Sequence, residues 1–527
     1  GQMVMDFTNP IKVSIGQFYG IEINDFAVTV AKTALWIAES QMMKQTEDIV
    51  HMNLDFLPLK SYANIVEGNA LSMDWENVIS KRELNYIMGN PPFVGARFMN
   101  KEQKNDLLSV FGAKWKNAGN LDYVSCWYKK AADMMSGTQI QAALVSTNSV
   151  CQGESVAILW KPLFESGIHI DYAYRTFRWD SEAKIKAHVH CVIVGFSSYA
   201  NPDKPTIYVV SEAKNEDGIK YSIIRKQVAS NINGYLLDGD NIAVESRNKP
   251  LCDVPEIGIG NKPIDGGFYL FDEAEMNDFI KKEPASKHYF HPWYGAKEFI
   301  NRCPRYCLYL ADCPPNELRK MPESLKRIEA VREYRLKSPS AGTRKIADTP
   351  TRFHVTNLPQ GSYIVIPQVS SEKRRYIPIG YMDDGVLCSD KVRILPNGSL
   401  YHFGVLTSNV HMSWMRTICC RLKSDYSYTV KDVYNNFPWP SPTPDQKTKI
   451  EQTAQAILDA RAKYPDNSLA DLYDELTMPS ELRKAHQQND KAVMQAYGFS
   501  IRETTEASCV AELMKMYQLL VAGEGRA

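Results

Sequence analysis

Residues 87–93, Ile-Met-Gly-Asn-Pro-Pro-Phe, carry groups whose types and spacing suit a specific chemistry. The apolar run at 86–88 ends at Gly89, and neither Pro91 nor Pro92 can donate to a ladder, so a strand stops and turns here. The turn leaves the Asn90 carboxamide and the Pro91 carbonyl as acceptors at a strand end, with Phe93 as a flat apolar face beside them. Such a set fits a planar ring bearing an exocyclic amine. The amino nitrogen of adenine or cytosine is a poor nucleophile because its lone pair is delocalised into the ring. If its two N–H groups donate to the Asn90 oxygen and the Pro91 carbonyl, the nitrogen moves toward tetrahedral geometry and its lone pair is freed for in-line attack. Preorganised acceptors and near-attack positioning then supply the rate without a covalent enzyme intermediate, while stacking on Phe93 holds the base. A purely structural role, a proline-rich turn closing a strand, accounts for the same residues, since Asn-Pro-Pro also recurs by chance.

The elements that must position this turn precede it. Residues 18–23 (Phe-Tyr-Gly-Ile-Glu-Ile) read as a short buried strand ending in an acid, and Asn24 reads as a helix cap. Ala27, Val30, Ala31, Ala34, Leu35 and Ala38 recur at helical spacing and predict a helix to about Met43. In an α/β nucleotide-binding sheet, an acid at the carboxyl end of the second strand binds the ribose hydroxyls of a cofactor. Glu22 is the candidate, against the alternative of a simple strand-terminal acid. Residues 65–71 form another strand-to-loop transition, where Asn69 is placed either to recognise an adenine ring or to cap a turn. Three successive strand ends therefore carry Glu22, Asn69 and Asn90.

Gly-Asn-Pro-Pro-Phe at 89–93, with Gly-Ile-Glu-Ile at 20–23 and Gly-Asn-Ala-Leu at 68–71, resembles the γ-class amino-methyltransferases that methylate adenine N6 in DNA. Leu-Asp-Tyr-Val at 121–124, Trp127-Tyr128, residues 143–149 (Ala-Leu-Val-Ser-Thr-Asn-Ser), Gln152-Gly153-Glu154 and residues 187–193 (Ala-His-Val-His-Cys-Val-Ile) are similar to later motifs of the MmeI-like, type IIL restriction-modification enzymes. The resemblance implies S-adenosylmethionine as cofactor and double-stranded DNA as partner. It also implies that Asn90, Pro91, Pro92 and Phe93 form the target-adenine site, that Glu22 and Ile23 hold the cofactor ribose, and that Asn69 and Ala70 meet the cofactor adenine. Phe196, ending the strand at 190–195, is implied as the opposite stacking face.

The family places a glycine-rich loop on the strand upstream of Glu22, whereas residues 1–17 contain only Gly1 and Gly16. The expectation is therefore an N-terminally truncated chain with an incomplete Rossmann-like α/β core, whose cofactor site lacks the amides of that loop. From about Ser197 short β-branched and aromatic runs (207–210, 362–366, 376–381) alternate with Gly, Pro and Asn turns, with a helical pattern at 323–336. These predict a mixed, mostly β target-recognition domain, which must hold the duplex while the adenine is flipped out. Residues 293–301, 305–308, 424–428 and 433–440 resemble the family here too.

Within that domain, residues 370–378 read Ser-Ser-Glu-Lys-Arg-Arg-Tyr-Ile-Pro. Arginine pairs with guanine and a carboxylate accepts from cytosine N4, so Glu372 and Arg374, two apart on one strand face, could read one G·C pair. The alternative is an exposed edge-strand ion pair. Lys297, Arg302, Arg332 and Arg344 are candidates for phosphate contacts, which position a duplex without specifying sequence. Pro442 and Pro444 mark a linker, beyond which 450–462, 480–496 and 507–521 carry helical periodicity.

Composition bounds these readings. The 527 residues are 44% hydrophobic and 23% charged, enough for two or three domains with real cores. No run of about 18 apolar residues and no signal-peptide pattern occurs, so no membrane association and a cytoplasmic location are expected. Eleven irregularly spaced cysteines fit a reducing compartment. The net charge of zero hides a basic stretch at 281–350, with 15 Lys and Arg against 8 Asp and Glu. Cys303, Cys307 and Cys313 with His288 and His291 do not form two close ligand pairs, so no metal is expected. A Pro-Cys nucleophile for cytosine C5 chemistry is missing, because Cys313 precedes Pro314.

The expected organisation is a catalytic core at 1–200, a recognition domain at 201–440 and a helical region at 441–527. The expected function is methyl transfer from S-adenosylmethionine to adenine N6 in duplex DNA within a restriction-modification or related defence system. The alternative is a sequence-specific DNA-binding fragment without activity of its own. Methylation of a protein glutamine amide, which also uses an Asn-Pro-Pro-aromatic site, is disfavoured by the large domain after residue 200.

Overall fold

The computed structural model describes residues 13–51, 63–180, 188–199, 201–214, 220–422 and 424–524. Residues 1–12, most of the stretch ahead of the Glu22 strand, and Ala187 of the motif at 187–193 lie outside the described residues. The chain divides into two units, 1–150 with 158–241 and 151–157 with 242–527.

In the first unit Asn24 caps α1 (Asp25–Val50) as its residue type predicts, its side chain accepting from the Ala27 amide at 3.0 Å. The helix passes Met43 because neither Gly nor Pro interrupts it before His51, whose φ of 53° ends it. Strands β1 (Tyr19–Glu22) and β2 (Asn64–Glu67) flank α1 in sequence and run parallel, with Glu22 opposite Glu67.

Beyond them come β3 (Tyr86–Gly89), α2 (Lys101–Phe111), α3 (Ser125–Met135), β4 (Gln141–Thr147), β5 (His169–Asp180), β6 (His188–Ser197), β7 (Thr206–Lys214) and β8 (Lys220–Val228). Six of these strands form one mixed sheet in the order β3-β4-β6-β5-β7-β8. Among the described residues no strand joins β1 or β2 to β3, so Glu22 and Asn90 end strands of two different sheets in the same unit. Met88 on the edge strand β3 is 76% exposed. On the other side of β3 the packing is dense: Ala142 and Leu144 of β4 are buried, as are Cys126, Tyr128, Ala131 and Met135 of α3. Each fully buried large apolar side chain contributes about 1.5–3 kcal/mol, so this face fixes where the β3 turn sits.

The hairpin β7–β8 differs from expectation. It extends the core sheet through Tyr172–Thr206 pairing with β5, instead of opening the recognition domain at residue 201. Its solvent-facing outer strand gives the polar-apolar texture of an independent β domain, which is why composition alone misplaced it.

Among the described residues the second unit contains three small sheets. One joins Leu270–Phe271, Arg305–Leu308, Phe290–Tyr294 and Leu387–Cys388; another joins Gly380–Met382, Tyr363–Pro367, Val392–Leu395 and Gly258–Ile259; the third joins Val369–Ser370, Asp425–Ser427 and Cys420–Leu422. Helix Pro322–Leu336 covers the predicted helical pattern. Its Arg335 is fully buried without an acid: all five guanidinium N–H groups donate to carbonyls, of Ile264, Ile346, Thr349, Pro263 and Arg352, at 2.8–2.9 Å. Helix Pro444–Ala462 starts where Pro444 occupies the first turn and Thr443 and Gln446 cap each other, followed by Ser480–Ala496 and Glu506–Glu524. Of the predicted strand at 376–381 only Gly380 and Tyr381 pair; Pro378 lacks an N–H, and the preceding residues turn. Among the described residues no helix is long and apolar enough to cross a membrane.

Candidate functional site

In the first unit the turn after β3 leaves its acceptors open. Among the described residues neither the Asn90 carboxamide nor the Pro91 carbonyl has a hydrogen-bond partner. Asn90 and Pro92 are exposed, Pro91 is buried, and Phe93 is 36% exposed. The Asn90 carboxamide and the Phe93 ring are therefore open to a base, and the Pro91 carbonyl stands unpartnered between them in the chain.

Residues that motif reading left without a role hold the turn. Asp122 Oδ1 accepts from the Ala96 amide at 2.9 Å, and its other oxygen accepts from the Ser149 hydroxyl, which shares a 2.8 Å bond with Thr147 Oγ1 at the end of β4. The Tyr123 amide donates to the Val94 carbonyl at 2.9 Å. Two consecutive residues thus grip the backbone just past Phe93. The signal was present in Leu-Asp-Tyr-Val at 121–124, but its target, 26 residues upstream, is not readable from local pattern.

The Tyr123 hydroxyl continues this network, donating to Asp106 of α2 at 2.7 Å. Burial, then the neighbouring Asp106 carboxylate, push the Tyr123 pKa up, so it stays a donor. Asp106 also accepts from Asn69 Nδ2 at 3.1 Å, while Asn69 Oδ1 accepts from the Leu71 amide at 2.9 Å. Asn69 therefore caps its turn and retains one amide hydrogen for a ligand. The Ala70 carbonyl accepts from the Trp75 indole at 2.8 Å. At the end of β1 the Glu22 carbonyl accepts from Gly68, which sets Glu22 beside the Asn69 loop. One Glu22 carboxylate oxygen accepts from the Asn24 amide at 3.1 Å, and the other has no hydrogen-bond partner among the described residues. Ile23 is exposed.

Phe196 is a correction. It is 0% exposed, stacked on Tyr128 at 5.4 Å and edge-on to Trp160, so no face is left for a base. It closes the core beneath β4 because the end of β6 pairs with β4 and β5 on both sides.

In the second unit Glu372 and Arg374 lie in a turn, not on a strand face as expected: the Arg374 amide donates to the Ser371 carbonyl at 3.1 Å. Glu372 pairs with Arg421 at 3.4 Å. The Arg374 guanidinium has no hydrogen-bond partner among the described residues, and burial pulls its pKa down against the opposing charges of Asp425 and Asp474. Both residues line a cavity of about 440 Å³ together with Arg375, Asn409, Arg416 and Glu506. Among the phosphate candidates, Arg302 donates to the Pro465 carbonyl, Arg332 pairs with Glu329, and Arg344 donates to the carbonyls of Ser338 and Pro339. The Lys297 ammonium has no partner among the described residues. There is also no convergent group of three metal-ligating side chains among them.

Comparison with known proteins matches three consecutive family models: "MmeI, DNA-methyltransferase domain" over residues 2–209, "MmeI, target recognition domain" over 238–441 and "MmeI, C-terminal domain" over 442–523. DNA methyltransferase A of Bacillus subtilis (strain 168) is 40% identical over 509 residues, covering 96% of this chain. The chain spans 56% of that relative's length. The solved structure of the type IIL restriction-modification enzyme MmeI in complex with DNA is 43% identical with a TM-score of 0.89, covering 99% of this chain and 68% of its own. These matches correct the expectation of an incomplete, N-terminally truncated core. The methyltransferase-domain model matches residues 2–209, and the doubt about the cofactor that rested on an incomplete core falls with that expectation.

Proposed function

Because the chain belongs to the MmeI-like, type IIL family of DNA methyltransferases, we propose that it transfers a methyl group from S-adenosylmethionine to adenine N6 in double-stranded DNA, within a restriction-modification or related defence system. The single observation that carries this reading is the pair of unpartnered acceptors, Asn90 Oδ1 and the Pro91 carbonyl, beside the exposed face of Phe93. Two acceptors match the two N–H groups of an exocyclic amine, and Phe93 matches its ring. The Asp122 and Tyr123 bonds hold these groups before the base arrives, so little reorganisation is needed at the moment of reaction.

The cofactor supplies an electrophilic methyl group on a sulfonium. The residues present fit its binding: the free Glu22 carboxylate oxygen at a parallel strand end suits a ribose hydroxyl, and the remaining Asn69 amide hydrogen suits a ring nitrogen. Ile23 and Ala70 flank these two groups. Asn90 and Pro91 then take the amine hydrogens and Phe93 holds the ring, while Pro92 keeps the turn from re-entering a ladder.

The division of labour follows the chain. Residues 1–200, with the hairpin that extends their sheet, catalyse; the remainder of 201–440 holds the duplex; 441–527 form a helical support. Glu372 and Arg374 read one G·C pair, and Lys297 meets a phosphate. The protein works in the cytoplasm, where DNA and S-adenosylmethionine are both present.

The test is incubation of the protein with methyl-labelled S-adenosylmethionine and mixed-sequence duplex DNA, followed by separation of the nucleosides. Label in N6-methyladenine is expected; label confined to cytosine, or no transfer, would overturn the reading.

A further inference from the structure

The turn at 371–379 owes little of its shape to itself. Its internal hydrogen bonds among the described residues are few: the Lys373 amide donates to Ser371 Oγ at 3.3 Å, that of Arg374 to the Ser371 carbonyl, and that of Ile379 to the Ile377 carbonyl at 2.8 Å. The remaining anchors come from residues far along the chain. The Tyr376 hydroxyl donates to Asp490 Oδ2 at 2.6 Å, and its ring stacks on His486 at 4.2 Å and 22°. Asp490 Oδ1 accepts from the Asn409 amide at 2.8 Å, at the start of helix Asn409–Ile418, where a carboxylate is favoured by the helix dipole. On one side of Tyr376, Arg416 donates to the Arg375 carbonyl at 3.0 Å and pairs with Glu506 at 2.7 Å. On the other side, Arg461 donates to the Ile379 carbonyl at 2.6 Å and to the Tyr473 hydroxyl, which in turn bonds His486 at 2.7 Å. Helix Pro444–Ala462 supplies Arg461, Ser480–Ala496 supplies both His486 and Asp490, and Glu506–Glu524 supplies Glu506, which holds Arg416.

We propose that Asp490 is a positioning residue for sequence reading: through Tyr376 it fixes the turn that presents Glu372 and Arg374, so the C-terminal helices set how sharply one base pair is discriminated. Asp490 is 5% exposed and does not itself line the cavity in which Arg374 lies, so it acts through its partners Tyr376 and Asn409. The inference rests on the proposed base-reading role of Glu372 and Arg374.

The experiment methylates a pool of mixed-sequence duplexes with the full chain and sequences the modified adenines, giving a preference at every flanking base pair. Tyr376→Phe removes one hydrogen bond and keeps the ring on His486; Asp490→Ala removes the other partner; both are checked for folding by circular dichroism and thermal melting. Arg374→Ala should abolish preference at one pair. Tyr376→Phe and Asp490→Ala should weaken preference at that same pair about tenfold, leave the rate on the best sequence within about twofold, and cost nothing further in an Arg374→Ala background. If Arg374→Ala abolishes the preference and folded Tyr376→Phe retains it, the positioning role is refuted while base reading stands. A uniform loss on all sequences would reduce the contact to general stability and also refute the proposal. If neither Arg374→Ala nor Glu372→Ala changes any preference, base reading itself is wrong and the proposal fails with it.

Discussion

Asp122 carries two loads at the candidate catalytic turn, and its partners differ in what they tolerate. The Ala96 amide can only donate, whereas the Ser149 hydroxyl can donate or accept. Asp122→Asn can therefore keep both bonds, its oxygen on Ala96 and its amide on Ser149. Asp122→Ala loses both. In steady-state methyl transfer, Asp122→Ala should lower kcat about tenfold or more with KM for DNA nearly unchanged, and Asp122→Asn should recover most of it. Equal defects in the two variants would argue against a positioning role. At this scale sequence reading found the break after Gly89 that holds Asn90, Pro91 and Phe93, because prolines end a ladder wherever they occur. It failed for Phe196, whose strand is covered on both faces; alternation along a strand does not tell a core face from a ligand face when both are dry.

Among the elements, helix Pro322–Leu336 depends on Arg335. Lysine has three donors in place of five and no planar fork, so Arg335→Lys leaves at least two buried carbonyls unpaired, costing about 2–4 kcal/mol in denaturant unfolding. A loss under half a kilocalorie would mean that water replaces the missing bonds. The C-terminal helices make a second prediction, in pH. Burial raises the Asp490 pKa from its ordinary 3.8 to about 6, opposed by bonds from Tyr376 and Asn409 and by the charges of Arg375 and Arg416. Between those values the folded chain keeps a proton that the unfolded chain has released, so this site's contribution to stability falls as pH rises toward 6 and is level above it. Asp490→Asn removes the decline; comparing denaturation midpoints of variant and wild type from about pH 4 to about pH 7 checks the sign. Helices at 323–336, 450–462 and 480–496 were legible because their periodicity and caps are local. The turn at 371–379 was not, since Asp490, Arg461 and Arg416 shape it from up to 114 residues away.

For the chain as a whole, the zero net charge denies it a long-range pull on polyanions, so the proposed affinity for DNA must come from particular cations. The basic excess at 281–350 overstated their number: Arg335 is buried, and Lys326, Arg332 and Lys337 pair with acids on their own helix. Counting charge cannot reveal such pairing. Lys297, unpartnered, is the sharper candidate. Lys297→Ala should reduce the salt slope of DNA binding by about one and leave sequence preference unchanged; an unchanged slope would exclude the phosphate contact. The central claim concerns Asn90, and the most direct measurement is single-turnover methyl transfer to adenine by Asn90→Ala, alongside its affinities for S-adenosylmethionine and DNA. A fall in rate of about 10²–10³-fold with both affinities within about threefold is predicted, as for loss of one preorganised partner of the reacting group. Transfer at the wild-type rate would contradict the account.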